Sequence, residues 1–269
     1  MDVYLADTGV RLRTASRIGV EGDENLLCPA YSHIEKSGYD GEVFRDTNIL
    51  QSFFYCDTFT EQVIIPNCKR FMLDSGAFTF FGKGKAVNWD EYIQKYAQFI
   101  TRNKVERYFE LDIDPLVGYR KVLEYRRMLE NMTGRPCIPV WHKSRGIDEY
   151  YKMCEQYAYV AIGGIVSKEI TKDDYKFFPR LISEAHKRGA KVHGLGFTSV
   201  SELKKYHFDS VDSSSWTTGN RFGVTYRFTG SGIESIKQRD GTRIADHGEL
   251  ARHNFREWAK FQQYAETHL

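Results

Sequence analysis

From about residue 70 onward the chain alternates short apolar runs with longer amphipathic ones. "RFMLD" reads as a strand, and "NWDEYIQKYAQFITRN" as a helix capped by Asn88. "RYFELDID" is a second strand, followed by "GYRKVLEYRRMLENM", whose apolar and aromatic residues recur at helical spacing. "CIPVWH" is a third strand and "IDEYYKMCEQY" a helix; "YVAIGG" is a fourth strand, and "KDDYKFFPRLISEAHKRG" a helix ended by Gly189. "AKVHGLG" gives a fifth strand, "SVSELKKY" a short helix, "FDSVD" a sixth strand, and "HGELARHNFREWAKFQQYAETH" the last long helix.

Repeating strand–helix units call for parallel strands joined by right-handed crossovers. The near-continuous apolar character of "YVAIGG" and "CIPVWH" suits strands covered on both faces. With "DVYLA" and "NLLCPAYS" near the amino terminus as further strands, the count approaches the eight of a (β/α)8 barrel, and 269 residues suit that fold. A doubly wound open sheet is the rival. No GxGxxG follows the first strand, and "GKGK" at Gly82–Lys85 is not a phosphate-binding P-loop, so the rival lacks its usual ligand signal. The expectation is an α/β chain: a modified (β/α)8 TIM-type barrel, with residues 1–269 as a single domain.

Composition narrows the class. With 41% hydrophobic residues the chain can bury a sizeable core, and with a formal net charge of +2 it does not advertise nucleic-acid binding, although a local basic face can sit inside a neutral total. Cys28, Cys56, Cys68, Cys137 and Cys154 are scattered, odd in number and without CxxC spacing. They argue against a disulfide framework and a compact zinc site, and they fit a reducing cytosol. The start "MDVYLADTGVRLR" lacks the features of a signal peptide, and no apolar run approaches membrane-spanning length. The expectation is a soluble cytoplasmic protein with no membrane partner, no metal and no cofactor.

The candidate chemistry collects where strands end: Asp74, Asp112 with Asp114, His142, the Gly163–Gly164 pair, His193 with Gly194, and Asp212. In a barrel the carboxyl ends of the strands ring one pocket, so these groups converge although dispersed in sequence. Taken singly, an aspartate there more often caps a helix or turns the chain, and a glycine pair makes a tight turn. Repetition shifts the balance, because independent capping needs do not select carboxylate or imidazole so regularly. Within "FDSVD", period-two alternation places Phe208, Ser210 and Asp212 on one face and Asp209 and Val211 on the other.

These segments resemble a known family. "LDSGAF" at Leu73–Phe78, "LDID" at Leu111–Asp114, "AIGGI" at Ala161–Ile165, "VHGLG" at Val192–Gly196 and the stretch around Asp212 follow the order of the tRNA-guanine transglycosylases (queuine tRNA-ribosyltransferases) and their DNA-modifying relatives. "IPVWH", "VHGLGF" and "SVDSSSW" look most like the compact phage-type members. The resemblance implies a modified (β/α)8 barrel that exchanges guanine for a 7-deazaguanine such as preQ0. In that reaction an aspartate attacks C1′ of the nucleoside and forms a covalent glycosyl-enzyme. By the same resemblance Asp212 matches the nucleophile, Asp209 an upstream aspartate that is not catalytic, and Asp74 the general acid/base. Ser75 and Gly76 offer amides to the base or sugar, and Asp112 accepts from the guanine edge. His142 stands where the tRNA enzymes carry a base-contacting Gln. Gly163, Gly164 and Gly194 belong to the segments expected to border the substrate, and Asp114 falls where those enzymes often have Cys.

The tRNA members bear a zinc site of clustered cysteines and a histidine near the carboxyl terminus, whereas the last cysteine here is Cys154. The zinc subdomain is therefore expected to be lacking, which tilts the polymer partner toward DNA, with tRNA as the alternative and a non-catalytic binding barrel as a second. Candidate phosphate contacts are Lys83 and Lys85 in "KGK", Lys143 and Arg145 in "KSR", and Arg221 with Arg227.

Overall fold

The structure, a computed structural model, describes residues 1–7, 44–80, 87–197, 199–217, 222–237 and 247–269. Eight strands form one sheet: β1 (Asp2–Ala6), β2 (Asn48–Ser52), β3 (Arg70–Asp74), β4 (Arg107–Tyr108), β5 (Val140–Trp141), β6 (Tyr159–Ile162), β7 (Lys191–Gly194) and β8 (Ser210–Ser213). Their order is β4-β3-β2-β1-β8-β7-β6-β5 and every pairing is parallel. The sheet curls until its edges touch. Ile138 N donates to Tyr108 O at 2.8 Å, and Glu110 N donates to Ile138 O at 3.1 Å. This is the sheet of an α/β barrel of the (β/α)8 type, as expected.

Both faces of the strands are apolar because both are covered. Tyr4, Leu50, Met72, Phe109, Ile138, Val140 and Ala161 pack against one another inside the curl. Their strand neighbours Val3, Leu5, Ile49, Val160, Ile162, Val192 and Val211 face outward onto helices. The helices Trp89–Arg102, Tyr119–Thr133, Ile147–Gln156 and Phe178–Lys187 stand between successive strands, and His247–His268 closes the chain. Asn88 caps the first of them, its side chain accepting from Glu91 N at 3.2 Å.

Several segments are shorter or more divided than their patterns predict. "RYFELDID" stays in register only through Phe109, and "CIPVWH" pairs regularly only at Val140–Trp141, after Pro139, which has no N–H to give. The segment predicted as one helix up to Gly189 begins as a 3-10 turn, Lys172–Phe177, closed by a capping box between Thr171 and Asp174. The α-helix starts at Phe178, with Pro179 in its first turn.

The segment "NLLCPAYS" lies outside the described residues, and the strand between β1 and β3 is "NILQS" at Asn48–Ser52. Its polar ends hide it from a hydrophobic pattern. Gln262 of the last helix satisfies the Asn48 backbone, accepting from Asn48 N and donating to Asn48 O, each at 2.8 Å. An antiparallel hairpin, β9 (Val224–Phe228) with β10 (Ile233–Lys237), follows β8 and packs on the same helix. Asn254 accepts from Tyr226 N at 2.8 Å, and Glu257 accepts from Phe228 N at 2.7 Å. Among the described residues no helix is long and apolar enough to cross a membrane.

Candidate functional site

The pleat decides which strand-end groups face the mouth. On β3 Met72 is interior, so Asp74 two residues later also points inward; on β8 the inward pair is Ser210 and Asp212. Asp74 Oδ2 accepts from Gly76 N at 3.0 Å. Burial pushes the Asp74 carboxyl up to about 7; the charges of Asp212 and Asp112 add to the rise, and the amides of Gly76 and Ser75 oppose it. Asp74, Asp112 and Asp212 thus share one electrostatic neighbourhood at the mouth.

Asp212 is 7% exposed. Its Oδ1 accepts from Gly196 N at 2.6 Å and lies 3.2 Å from Nε2 of the wholly buried His193. The turn after Asp74 demands glycine. Gly76 has φ +73°, and a Cβ there would stand 2.7 Å from Phe54 N and from Ser52 Oγ. Ser75 is buried, its carbonyl accepting from the Tyr92 hydroxyl at 2.6 Å, so this turn is anchored to the helix Trp89–Arg102.

Asp112 and His142 meet as a pair. His142 Nε2 lies 2.7 Å from Asp112 Oδ1, and Nδ1 lies 2.7 Å from Glu169 Oε2. Burial lowers the affinity of this ring for a proton, but the flanking Asp112 and Glu169 carboxylates outweigh it and raise His142 to about 9. Both ring nitrogens are therefore committed to carboxylates. His142 acts on Asp112 instead of offering a free nitrogen to a base.

The two glycines of "AIGG" make room for this pair. A Cβ on Gly163 would stand 3.0 Å from His142 Nε2, and one on Gly164, whose φ is +82°, would stand 3.0 Å from Glu169 Oε2. Gly194 faces the other way. Its missing side chain leaves space in the helix layer for the Phe208 ring and the Phe197 Cβ, which would stand 3.1 and 3.3 Å from a Cβ at this position.

The cations divide sharply. Arg145, expected to meet phosphate, is 2% exposed at its side chain and is spent on the barrel. It donates to both oxygens of Asp114, to Glu110 Oε1 at 3.1 Å and to Val140 O. Glu110 is itself wholly buried, accepting from Arg126 Nε at 2.6 Å and Val140 N at 2.8 Å. Asp114 likewise opens the short helix Asp114–Val117 and serves this ion pair. Lys143 is exposed and pairs with Asp174 at 2.8 Å, while Arg227 pairs with Glu234 across the hairpin. Lys83, Lys85 and Arg221 lie outside the described residues.

Glu110 and Glu169 went unnoticed in the sequence. Glu110 carries a faint signal, a charge within the apolar run "YFEL"; Glu169 sits in the polar stretch "SKEI" and carries none. Among the described residues no group of three or more His, Cys, Asp or Glu side chains could hold a metal ion, and the four described cysteines are free. No protein-family model matches the sequence, and a search of curated proteins returns no match.

Proposed function

We propose that the protein is a cytoplasmic base-exchange transglycosylase that replaces guanine in DNA with a 7-deazaguanine such as preQ0. The observation that carries it is the pairing of Asp74 with Asp212 on two inward strand ends, in unequal surroundings: Asp74 raised to about 7, Asp212 held at Oδ1 by Gly196 N–H. Two carboxylates with distinct environments divide nucleophile from acid/base work.

In the first half-reaction Asp212 bonds to C1′ as the C1′–N9 bond breaks, and the leaving purine takes a proton from Asp74. In the second half-reaction the incoming base gives its proton to Asp74 and bonds to C1′ as the C1′–O bond breaks, the electron pair of that bond returning to Asp212. Asp112, fixed by His142, accepts from the guanine edge, where paired N–H groups call for an anionic acceptor. The target nucleotide leaves its stack, because C1′ is inaccessible inside a helix. DNA is preferred over tRNA because "IPVWH", "VHGLGF" and "SVDSSSW" look most like the compact phage-type, DNA-modifying members.

The test is to incubate the protein with labelled preQ0 and either DNA or tRNA, and to measure which polymer gains label. Label in DNA supports the proposal, label in tRNA transfers the activity to that polymer, and label in neither overturns it. In parallel, a guanine-containing oligonucleotide without the second base should leave a covalent adduct on denaturing gels that Asp212→Asn abolishes.

A further inference from the structure

The inward faces of β7 and β8 carry a file of polar side chains that the strand-end aspartates do not explain. His193 is wholly buried, with the Tyr4 ring edge-on at 6.2 Å and the Phe109 ring tilted at 5.2 Å. An imidazole walled by rings needs a partner at each nitrogen. It has both: Nδ1 lies 2.5 Å from Ser210 Oγ, and Nε2 lies 3.2 Å from Asp212 Oδ1. Ser210 Oγ bonds onward to the hydroxyl of Tyr159.

Donor and acceptor capacity gives the file a direction. A carboxylate oxygen only accepts, so the ring proton sits on Nε2. With that proton on Nε2, Nδ1 accepts from the Ser210 hydroxyl, and Ser210 Oγ accepts from the Tyr159 hydroxyl. Every member is satisfied and the file ends on Asp212. With Gly196 N–H at 2.6 Å, Oδ1 receives two donors; among the described residues Oδ2 receives none.

On the transglycosylase reading, we propose that His193 is a positioning residue that reserves Oδ1 of Asp212 for hydrogen bonding and leaves Oδ2 as the atom that attacks C1′. In the glycosyl-enzyme Oδ2 is the ester oxygen and Oδ1 the carbonyl oxygen. When the incoming base displaces the aspartate, the C1′–Oδ2 electron pair returns to the carboxylate, and the charge spreads onto Oδ1 under the His193 N–H. A donor there makes the aspartate a weaker nucleophile and a better leaving group. Losing it slows discharge of the adduct and does not slow its formation.

The experiment follows the adduct in time: formation with the second base withheld, then discharge after preQ0 is added. His193→Leu should form adduct at least as fast as the parent protein and discharge it about tenfold or more slowly, the scale of one hydrogen bond to a charged group. His193→Gln, whose side-chain N–H can reach the same oxygen, should recover most of the discharge rate. Ser210→Ala, which leaves the ring in place but removes its Nδ1 partner, should slow discharge several-fold and serves if His193→Leu does not fold. Formation and discharge falling together, no recovery in His193→Gln, or unchanged discharge in Ser210→Ala would overturn the role of His193. No adduct in the parent protein would instead overturn the transglycosylase reading itself, and an adduct that survives Asp212→Asn would move the nucleophile off Asp212.

Discussion

Arg145 clasps Asp114 through two guanidinium nitrogens, Nε to Oδ2 at 2.6 Å and Nη2 to Oδ1 at 2.5 Å, where the edges of the curled sheet meet. A residue that composition alone marks as a surface cation is here part of the barrel closure, because its third contact, Glu110, is buried with no exposure at all.

Removing Arg145 leaves two carboxylates short of their counter-charge. Arg145→Ala is expected to lower the unfolding free energy by about 3–5 kcal/mol, the cost of breaking a buried ion pair from one side. Arg145→Lys should recover little, since one ammonium cannot serve Asp114, Glu110 and Val140 O together. Lys143→Ala, which loses only an exposed pair with Asp174, should cost less than about 1 kcal/mol. Urea denaturation of the three variants checks the order; equal losses for Arg145→Ala and Lys143→Ala would contradict it.

Asp74 links stability to pH with a definite sign. Its carboxyl is raised from 3.8 to about 7 by burial first and by Asp212 and Asp112 next. The folded protein thus holds this proton more tightly than the unfolded chain. The contribution of Asp74 is most favourable at low pH, declines as pH rises between 3.8 and about 7, and is flat above. Asp74→Asn removes that decline. Relative to the parent protein the variant should gain on the order of 1–4 kcal/mol between about pH 5 and about pH 8, while losing base exchange. Chemical denaturation at the two pH values tests this; parallel profiles would show that Asp74 is not held protonated.

The legible part of the fold was what hydrophobic periodicity controls. β1 and β3 and the last helix match their patterns residue for residue, because each has a continuous apolar face and clear ends. β2 was not legible, since Asn48 and Gln51 are buried polar residues, and the Gln262 that satisfies Asn48 lies far away in sequence. The hairpin β9–β10 was missed as well: its exposed Arg227 and Glu234 pair across strands and leave no clean alternation. In the site, Asp74 and Asp212 were readable from strand ends and pleat. Glu169 was not, because its significance comes only from lying 2.7 Å from His142.

His142 supplies a second titration of the same sign but from a different cause. Its pKa stands at about 9 against 6.5 for the free ring; burial pulls it down, and Asp112 and Glu169 more than compensate. The stabilisation it gives is fully present below 6.5 and is lost as pH rises through about 9. Glu169→Gln removes one of the two carboxylates and should lower the His142 midpoint by about one unit or more. A ring-proton NMR titration reads that midpoint directly. An unmoved midpoint would mean that Asp112 alone sets the charge of His142.

Asp209 and Asp212 separate a structural carboxylate from the proposed nucleophile on one short segment. Asp209 lies on the outer side, where its Oδ2 accepts from Val192 N at 2.7 Å and lies 2.8 Å from His186 Nε2, tying β7 to the helix Phe178–Lys187. Asp209→Asn keeps an acceptor for Val192 N and loses only a half-exposed pairing with His186, so it should cost about 1 kcal/mol or less. Asp209→Ala strands the Val192 amide and should cost about 1–3 kcal/mol. Neither change reaches the inward face, so both variants should form the covalent DNA adduct at the parent rate once compared at equal folded concentration. Asp212→Asn should fold and form none. Denaturing electrophoresis of the variants on one guanine-containing oligonucleotide decides between the two faces of the pleat. An adduct that vanishes with Asp209→Asn but persists with Asp212→Asn would place the reacting carboxylate on the outer side, beside His186.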